Sequence, residues 1–514
     1  MADLFYPPLV RIGCGQGGIF LRRQLPIFYS ALLLTCVNLL LRIVGTSFQV
    51  YISGKIGPAG VGLLQLVMSV NGFALVAGMA GIRTAAMYLT AEELGKRKPQ
   101  NVIWVLSGCV LYSILCSSAV SSLLFFLAPE IAGRWIGNTE TADSLRLFAV
   151  FLPTICLCGV MTGYFTAANQ IGTLAVVEIA EQFLSMGITI AVLTFWAGDQ
   201  PSRACQGVVL GSCAGSCLTV LCLLFLRLRE KSRAASPISV SRRLLDAALP
   251  LAAADVLKSG INTTENLMVP KRLAKNTLVE NPLASFGLVS GMVFPILMFP
   301  ACILFGLAEL LIPELARCSA AGSKTRISYL VKKSLRVSML YGVFFCGLEF
   351  LLAENLCSAL YGNAEAGKHL RLYALLIPML YCDAITDAMT KGLGQQKICV
   401  RYNILTSALD VIFLFVLLPT HGMTGYFLSF LVTHLLNFIL SLRRLLKTTG
   451  ESISFSVPVL TAAACLAAIS GASCFSGAAG KCLAYILLLG SLLCLFRVTG
   501  WSDVRWLKGL LHKK

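Results

Sequence analysis

Apolar runs of about 20 residues recur along the whole chain, separated by short polar stretches, and each run is long enough to cross a bilayer as a helix. The pattern predicts spans at 27–47, 62–90, 102–127, 145–168, 173–197, 204–226, 244–264, 283–312, 331–353, 370–390, 399–418, 422–441, 454–476 and 480–498. Fourteen such spans would occupy roughly 280 residues, which leaves only a short start, a short tail and modest loops. Arg22 and Arg23 precede a first run without a small-x-small cleavage pattern, so the first span reads as a retained helix and not a signal peptide.

Composition agrees. Of 514 residues, 57% are hydrophobic and 13% charged, against about a quarter charged in soluble domains. The reading is an all-α polytopic membrane protein with no room for a soluble catalytic domain. The net charge of +18 raises the question of nucleic acid, but the 42 Lys and Arg are distributed as a topology signal. With a cytoplasmic amino terminus, 29 of them fall in inside segments, 10 outside, and Arg42, Arg83 and Lys258 within spans. The positive-inside rule then places both termini in the cytoplasm, with no nucleic-acid partner. Most of the 20 cysteines, such as Cys109, Cys156 and Cys213, lie in apolar runs and read as small core residues.

Residues 128–153 align without a gap on 353–378 at a constant offset of 225, with nine identities in 26 positions, Gly137/Gly362, Asn138/Asn363 and Pro153/Pro378 among them. The copies lead into spans 4 and 10, six helices apart, so both cross the membrane in the same direction. A parallel repeat of two six-helix lobes, with a substrate site between them, is a transporter design. The expected organisation is a cytoplasmic segment (1–26), an N-lobe (27–226), a basic Ser/Pro-containing linker (227–243), a C-lobe (244–441), an appended helix pair (442–498) and a cytoplasmic tail (499–514). Gly207, Gly211 and Gly215 form a small-xxx-small ladder that predicts close packing of span 6. Pro153, Pro250, Pro295, Pro300 and Pro378 predict helix interruptions, as hinges or as static kinks.

A charge at bilayer depth costs about 2.5–3.5 kcal/mol on insertion scales, so each one is a functional candidate. Arg42, Arg83 and Lys258 are candidate contacts for a pyrophosphate headgroup, Arg42 first because a guanidinium fork matches phosphate oxygens. Lys258 has Asp255 one turn earlier, which equally admits an ion pair that cancels both, and Arg83 equally admits snorkelling to the interface. Glu178 and Glu181 in span 5, with Gln182, and Asp383 and Asp387 in span 10, with Asp255 in span 7 and single Glu309, Glu349 and Asp410, are candidates for sugar contact or for coupling to Na+ or H+. Helix bridging is the alternative for each, and Glu349 is placed near the outer surface. No phosphate loop, zinc motif or nucleophile elbow occurs, and the four His lack metal-ligand spacing. No cofactor is expected, and an ion gradient, the membrane potential or the substrate gradient must supply the drive.

Several segments resemble the multidrug/oligosaccharidyl-lipid/polysaccharide exporter superfamily, in its stage V sporulation protein B-like branch, related to the lipid II flippases. They are Arg42-Ile-Val-Gly45 followed by Gly54-Lys-Ile-Gly57-Pro-Ala-Gly60-Val-Gly62, then Gly163-Tyr-Phe165 leading to Glu181-Gln182, then Leu304-Phe-Gly-Leu-Ala308 with Ile312-Pro-Glu314. The resemblance implies a V-shaped fourteen-helix exporter that flips a lipid-linked sugar, such as a peptidoglycan precursor, from the inner to the outer leaflet, beside the cell-wall synthesis machinery. The chain departs from the lipid II flippases where they carry an Arg-Asp pair, having Phe48 and Gln49, and their Glu-Gln-x-x-Arg ends here in Ser185. A drug or cation antiporter of the same fold is the alternative. A glycan polymerase or ligase would need a large outer loop that this chain lacks, and a non-transporting partner of the sporulation or wall machinery is a further reading.

Overall fold

The computed structural model describes residues 27–229, 241–452 and 456–496, apart from residues 97, 169, 197 and 199. The termini and the centre of the basic linker thus lie outside the described residues. The described chain is helical throughout. Its first half holds α1 (Ile27–Met79), α2 (Ile82–Gly95), α3 (Val102–Glu130), α4 (Ala142–Ala167), α5 (Ile171–Phe195) and α6 (Pro201–Arg229). Its second half continues with α7 (Ser241–Leu273), α8 (Pro282–Gly287), α9 (Phe294–Leu297), α10 (Ala301–Ala320), α11 (Lys324–Tyr361), α12 (Ala364–Ala374), α13 (Ile377–Gly392), α14 (Gln396–Thr449), α15 (Ser456–Ser473) and α16 (Ala478–Leu495).

Among the described residues, nine helices are long and apolar enough to cross a membrane, or eleven if each of two bent pairs counts as one span. The protein is a multi-pass membrane protein. Helices α1 and α14 run for 53 and 54 residues, about 80 Å at 1.5 Å per residue, more than twice a hydrocarbon core of about 30 Å. Each is broken where a glycine takes a positive φ, Gly57 at 68° and Gly422 at 57°, so each holds two spans. At the first break Pro58 follows, with no N–H to give. Helix α7 has 33 residues and does not meet the apolar criterion, because Asp246, Asp255 and Lys258 interrupt its apolar run and Asn262, Glu265 and Asn266 follow.

Two predicted spans bend sharply. The span at 283–312 bends by 65° where α9 gives way to α10, and that at 370–390 by 56° between α12 and α13. Pro300 caps α10 and Pro378 opens α13, whereas Pro153 is carried inside an unbroken α4. The predicted glycine ladder of α6 meets α5: side chains on Gly207 or Gly211 would strike Val192 or Thr189, and one on Gly215 would reach Glu181. The cysteines among the described residues are free thiols, mostly buried or half-buried.

The repeat is visible in local geometry. Gly137 and Gly362 are both left-handed, at φ 85° and 64°. The next residues, Asn138 and Asn363, both cap the following helix, accepting from the backbone N–H of Glu140 at 3.0 Å and Glu365 at 2.9 Å. The same offset of 225 joins Pro58 to Leu283 and Gly62 to Gly287, and these residues touch across the middle of the molecule. A Cβ on Gly62 would strike the Leu283 carbonyl, and one on Gly287 the Pro58 carbonyl. Such reciprocity is the mark of a two-fold relation, so the pseudo-axis of the repeat passes between the two glycines.

Gly287→Leu is therefore expected to cost about 1–3 kcal/mol by overpacking and to lower the melting temperature of the purified protein, while Gly72→Leu, which has open space around it, leaves it unchanged. Asn363→Ala is expected to cost about 1 kcal/mol through the lost cap, read as a smaller downward shift in the same melt.

Candidate functional site

The halves meet along a seam in which the second span of α1, continued by α2, runs antiparallel to α7. Near its middle, Thr263 donates to the Ser69 carbonyl at 3.1 Å and Asn266 donates to the Ser69 hydroxyl at 3.0 Å. Farther along, Gly260 lies against the Phe73 ring. Two consecutive left-handed residues, Ala80 at φ 42° and Gly81 at 74°, then break the helix. Positive φ is uncommon for a residue with a Cβ, and Tyr112 of α3 donates to the Ala80 carbonyl at 3.2 Å. The break brings Gly81 so close to α7 that a Cβ there would lie 2.6 Å from the Ala248 carbonyl. At the Lys/Arg-rich end, Nη2 of Arg243 pairs with Glu92 and Glu93, both at 2.8 Å.

On the other side of the interface, span 1 faces α10. Arg42 is exposed there, its guanidinium 5.9 Å from the centre of the Phe305 ring, and no carboxylate among the described residues pairs with it. Arg83 is also exposed, just beyond the Ala80–Gly81 break, with Gly159 beside it and Glu178 near enough for their charges to interact. Lys258 and Asp255 are both exposed and form no ion pair with each other, which removes the predicted i,i+3 bridge. The three cations have different neighbours, and nothing gathers them into one cluster.

Most of the acidic candidates have protein partners. Glu181 accepts from Ser216 at 3.3 Å and Thr219 at 2.6 Å, hydroxyls that the glycine ladder of α6 brings onto α5. Gln182 and Glu178 are half-buried beside it. Asp383 accepts from the Asn437 amide at 3.2 and 3.1 Å, and Asp387 pairs with Lys391 at 2.6 Å. The side chain of Glu309 lies outside the described residues. Among the described residues, no group of three or more His, Cys, Asp or Glu side chains has the arrangement of a metal site.

Sequence reasoning missed three features. The carboxyl of Glu265 hydrogen-bonds that of Asp410, which also accepts from Ser429 at 2.5 Å and Thr433 at 3.1 Å. Glu265 escaped notice because the predicted span stopped at residue 264, whereas α7 continues to Leu273. Glu349, a candidate by sequence, is only 4% exposed, a burial that the apolar run around it did not reveal, with neither carboxyl oxygen partnered. Arg243, read as part of a solvated linker, belongs to α7 and holds Glu92 and Glu93.

Residues 28–279 match the polysaccharide biosynthesis protein family. The stage V sporulation protein B of Bacillus subtilis (strain 168) is 22% identical over 409 residues, covering 77% of this chain and 79% of that protein. The sporulation protein YkvU of the same organism is 19% identical over 385 residues, 71% of this chain and 82% of its own. Among solved structures, the lipid II flippase MurJ in an inward closed conformation superposes with a TM-score of 0.67 at 13% identity, covering 92% of this chain and 99% of that one. An inward-facing multidrug resistance MATE family transporter of the MOP superfamily gives 0.64 at 14% identity, over 82% of this chain and 100% of that one. Residues 28–279 thus match the polysaccharide biosynthesis protein family, and the chain is similar to stage V sporulation protein B and shares the fold of these solved transporters.

Proposed function

We propose that the protein flips a lipid-linked sugar from the inner to the outer leaflet of a bacterial cell membrane by alternating exposure of a site between its two halves. The substrate class is a polyprenyl-pyrophosphate-linked oligosaccharide or peptidoglycan precursor. The observation that carries this reading is the state of Arg42. Arg83 has Glu178 in electrostatic reach and Lys258 is an exposed ammonium, whereas Arg42 stands at the interface of the halves over the Phe305 ring, with no carboxylate partner among the described residues. A bare guanidinium at that depth is costly unless an anion visits it, and a pyrophosphate offers oxygens spaced for its fork. Glu181, Asp383 and Asp387, carboxylates that a cationic drug could use, have hydroxyl, amide and ammonium partners within the protein. The lipid II flippase among the fold neighbours supports the same choice. Glu181, Gln182 and Asp387 are the proposed sugar contacts. The Asp383 and Glu265–Asp410 groups are where a coupling proton or Na+ would be held.

Flipping of a labelled undecaprenyl-pyrophosphoryl sugar in proteoliposomes tests this. Arg42→Ala at matched insertion is expected to lower translocation by about tenfold or more, since a charge-assisted hydrogen bond contributes about 1.5–3 kcal/mol, and Lys258→Ala by less. Unchanged flipping by Arg42→Ala removes the headgroup site. Absence of flipping by the unmodified protein, together with uptake of a fluorescent cation driven by a Na+ or proton gradient, would establish the antiporter instead.

A further inference from the structure

We propose that Arg243, Glu92 and Glu93 form a clasp that holds the cytoplasmic end of the α2–α7 seam shut, and that a phosphate-bearing headgroup releases it by taking Arg243 from the two carboxylates. The second half of the proposal rests on the flippase reading; the first does not.

The clasp joins the two halves of the repeat: both carboxylates lie on α2 and the guanidinium on α7. The side chain of Glu93 is only 3% exposed, and besides Arg243 it has the Asn101 amide at 3.0 Å. Removal of Arg243 leaves a buried negative charge next to a second one, a far worse state than the paired one. Among the described residues, the seam adjoining the clasp has nothing comparable. There Gly81 lies against the α7 backbone, and the hydrogen bonds to Ser69 lie three helical turns away. Parting of α2 from α7 at this end must therefore break the ion pairs first.

The same guanidinium is placed to meet an incoming anion. Its side chain is 35% exposed, and among the described residues only Nη2 is engaged, so the Nε and Nη1 donors are available. Exposed Arg242 adjoins it. A pyrophosphate carries more charge than either carboxylate and binds a guanidinium through two oxygens at once. Once it holds Arg243, headgroup, Glu92 and Glu93 are all negative and repel one another. The anion that opens the seam is then the cargo that needs it open.

Amide hydrogen exchange of the full chain in nanodiscs, followed at residues 89–95 and 243–249, reads the clasp without any transport assay. Arg243→Gln and Glu93→Gln are each expected to speed exchange there by about tenfold, with α4 and α11 unchanged. Lys96→Gln, which removes only the exposed 2.5 Å pair with Glu92, and Arg243→Lys, which keeps the charge, are expected to stay near wild type. Wild-type rates in both Gln variants would overturn the clasp. Inorganic pyrophosphate is expected to speed exchange in the wild type, against sodium chloride at equal ionic strength, and to add nothing in Arg243→Gln. No response of the wild type would overturn release by phosphate while leaving the flipping assay to judge the flippase reading. Should a Gln variant fail to insert, the wild-type pyrophosphate arm still decides, because it needs no substitution.

Discussion

The closest constraint on this molecule is backbone touching backbone at the centre. Between helices in a membrane there is little hydrophobic force to exploit, because lipid tails are as apolar as leucine, and association depends on close packing and on polar contacts. Gly62 against Leu283 and Gly287 against Pro58 are one contact made twice by the repeat. With no side chains at either position, the second and eighth spans cross with their main chains nearly in contact. A residue change on one side meets its own counterpart's surroundings on the other, so neither half can change freely at this point. The Gly57 break serves the same contact, since it turns the chain so that Pro58 and Gly62 face the other half.

From that crossing the seam grows more polar toward the Lys/Arg-rich end. It passes from glycine contact to hydroxyl and amide hydrogen bonds around Ser69, then to the Gly81 approach, then to the Arg243 ion pairs. The order has a physical sense. A contact made of packing alone needs exclusion of lipid, and an ion pair can respond to charge arriving from water. The two ends of the seam are thus sensitive to different things, packing at one and charge at the other.

Much of the fold was legible because it rests on local chemistry. The repeat 128–153/353–378 carries its Gly and Asn at the positions where a left-handed turn and a side-chain cap are needed, and the structure uses them so in both copies. The glycine ladder of α6 was equally readable, although its consequence was not: it brings Ser216 and Thr219 to Glu181. What could not be read required knowing which helix lies beside which. Gly62 and Gly287 share the offset of the repeat, but their contact follows from the pseudo-axis and not from either segment. Arg243 sits in a basic stretch whose composition fits a solvated linker, and only its position opposite Glu92 and Glu93 distinguishes it from Arg242. Glu265 lay one residue past an apolar window, because a helix with a polar centre defeats hydropathy as a ruler.

That polar centre is itself informative. A transmembrane helix carrying Asn262, Thr263, Glu265 and Asn266 is tolerated because its polar faces are served from two directions. Thr263 and Asn266 bond Ser69 of the first half, while Glu265 bonds Asp410 of the second. Helix α7 is therefore bound by hydrogen bonds to both sides of the molecule at the same depth, and by ions to the first half at its end. Any motion that parts α7 from the first half must break its hydrogen bonds to Ser69 and its ion pairs to Glu92 and Glu93. Thr263, Glu265 and Asn266, which interrupt the apolar run of α7, are the residues that fasten it to both halves.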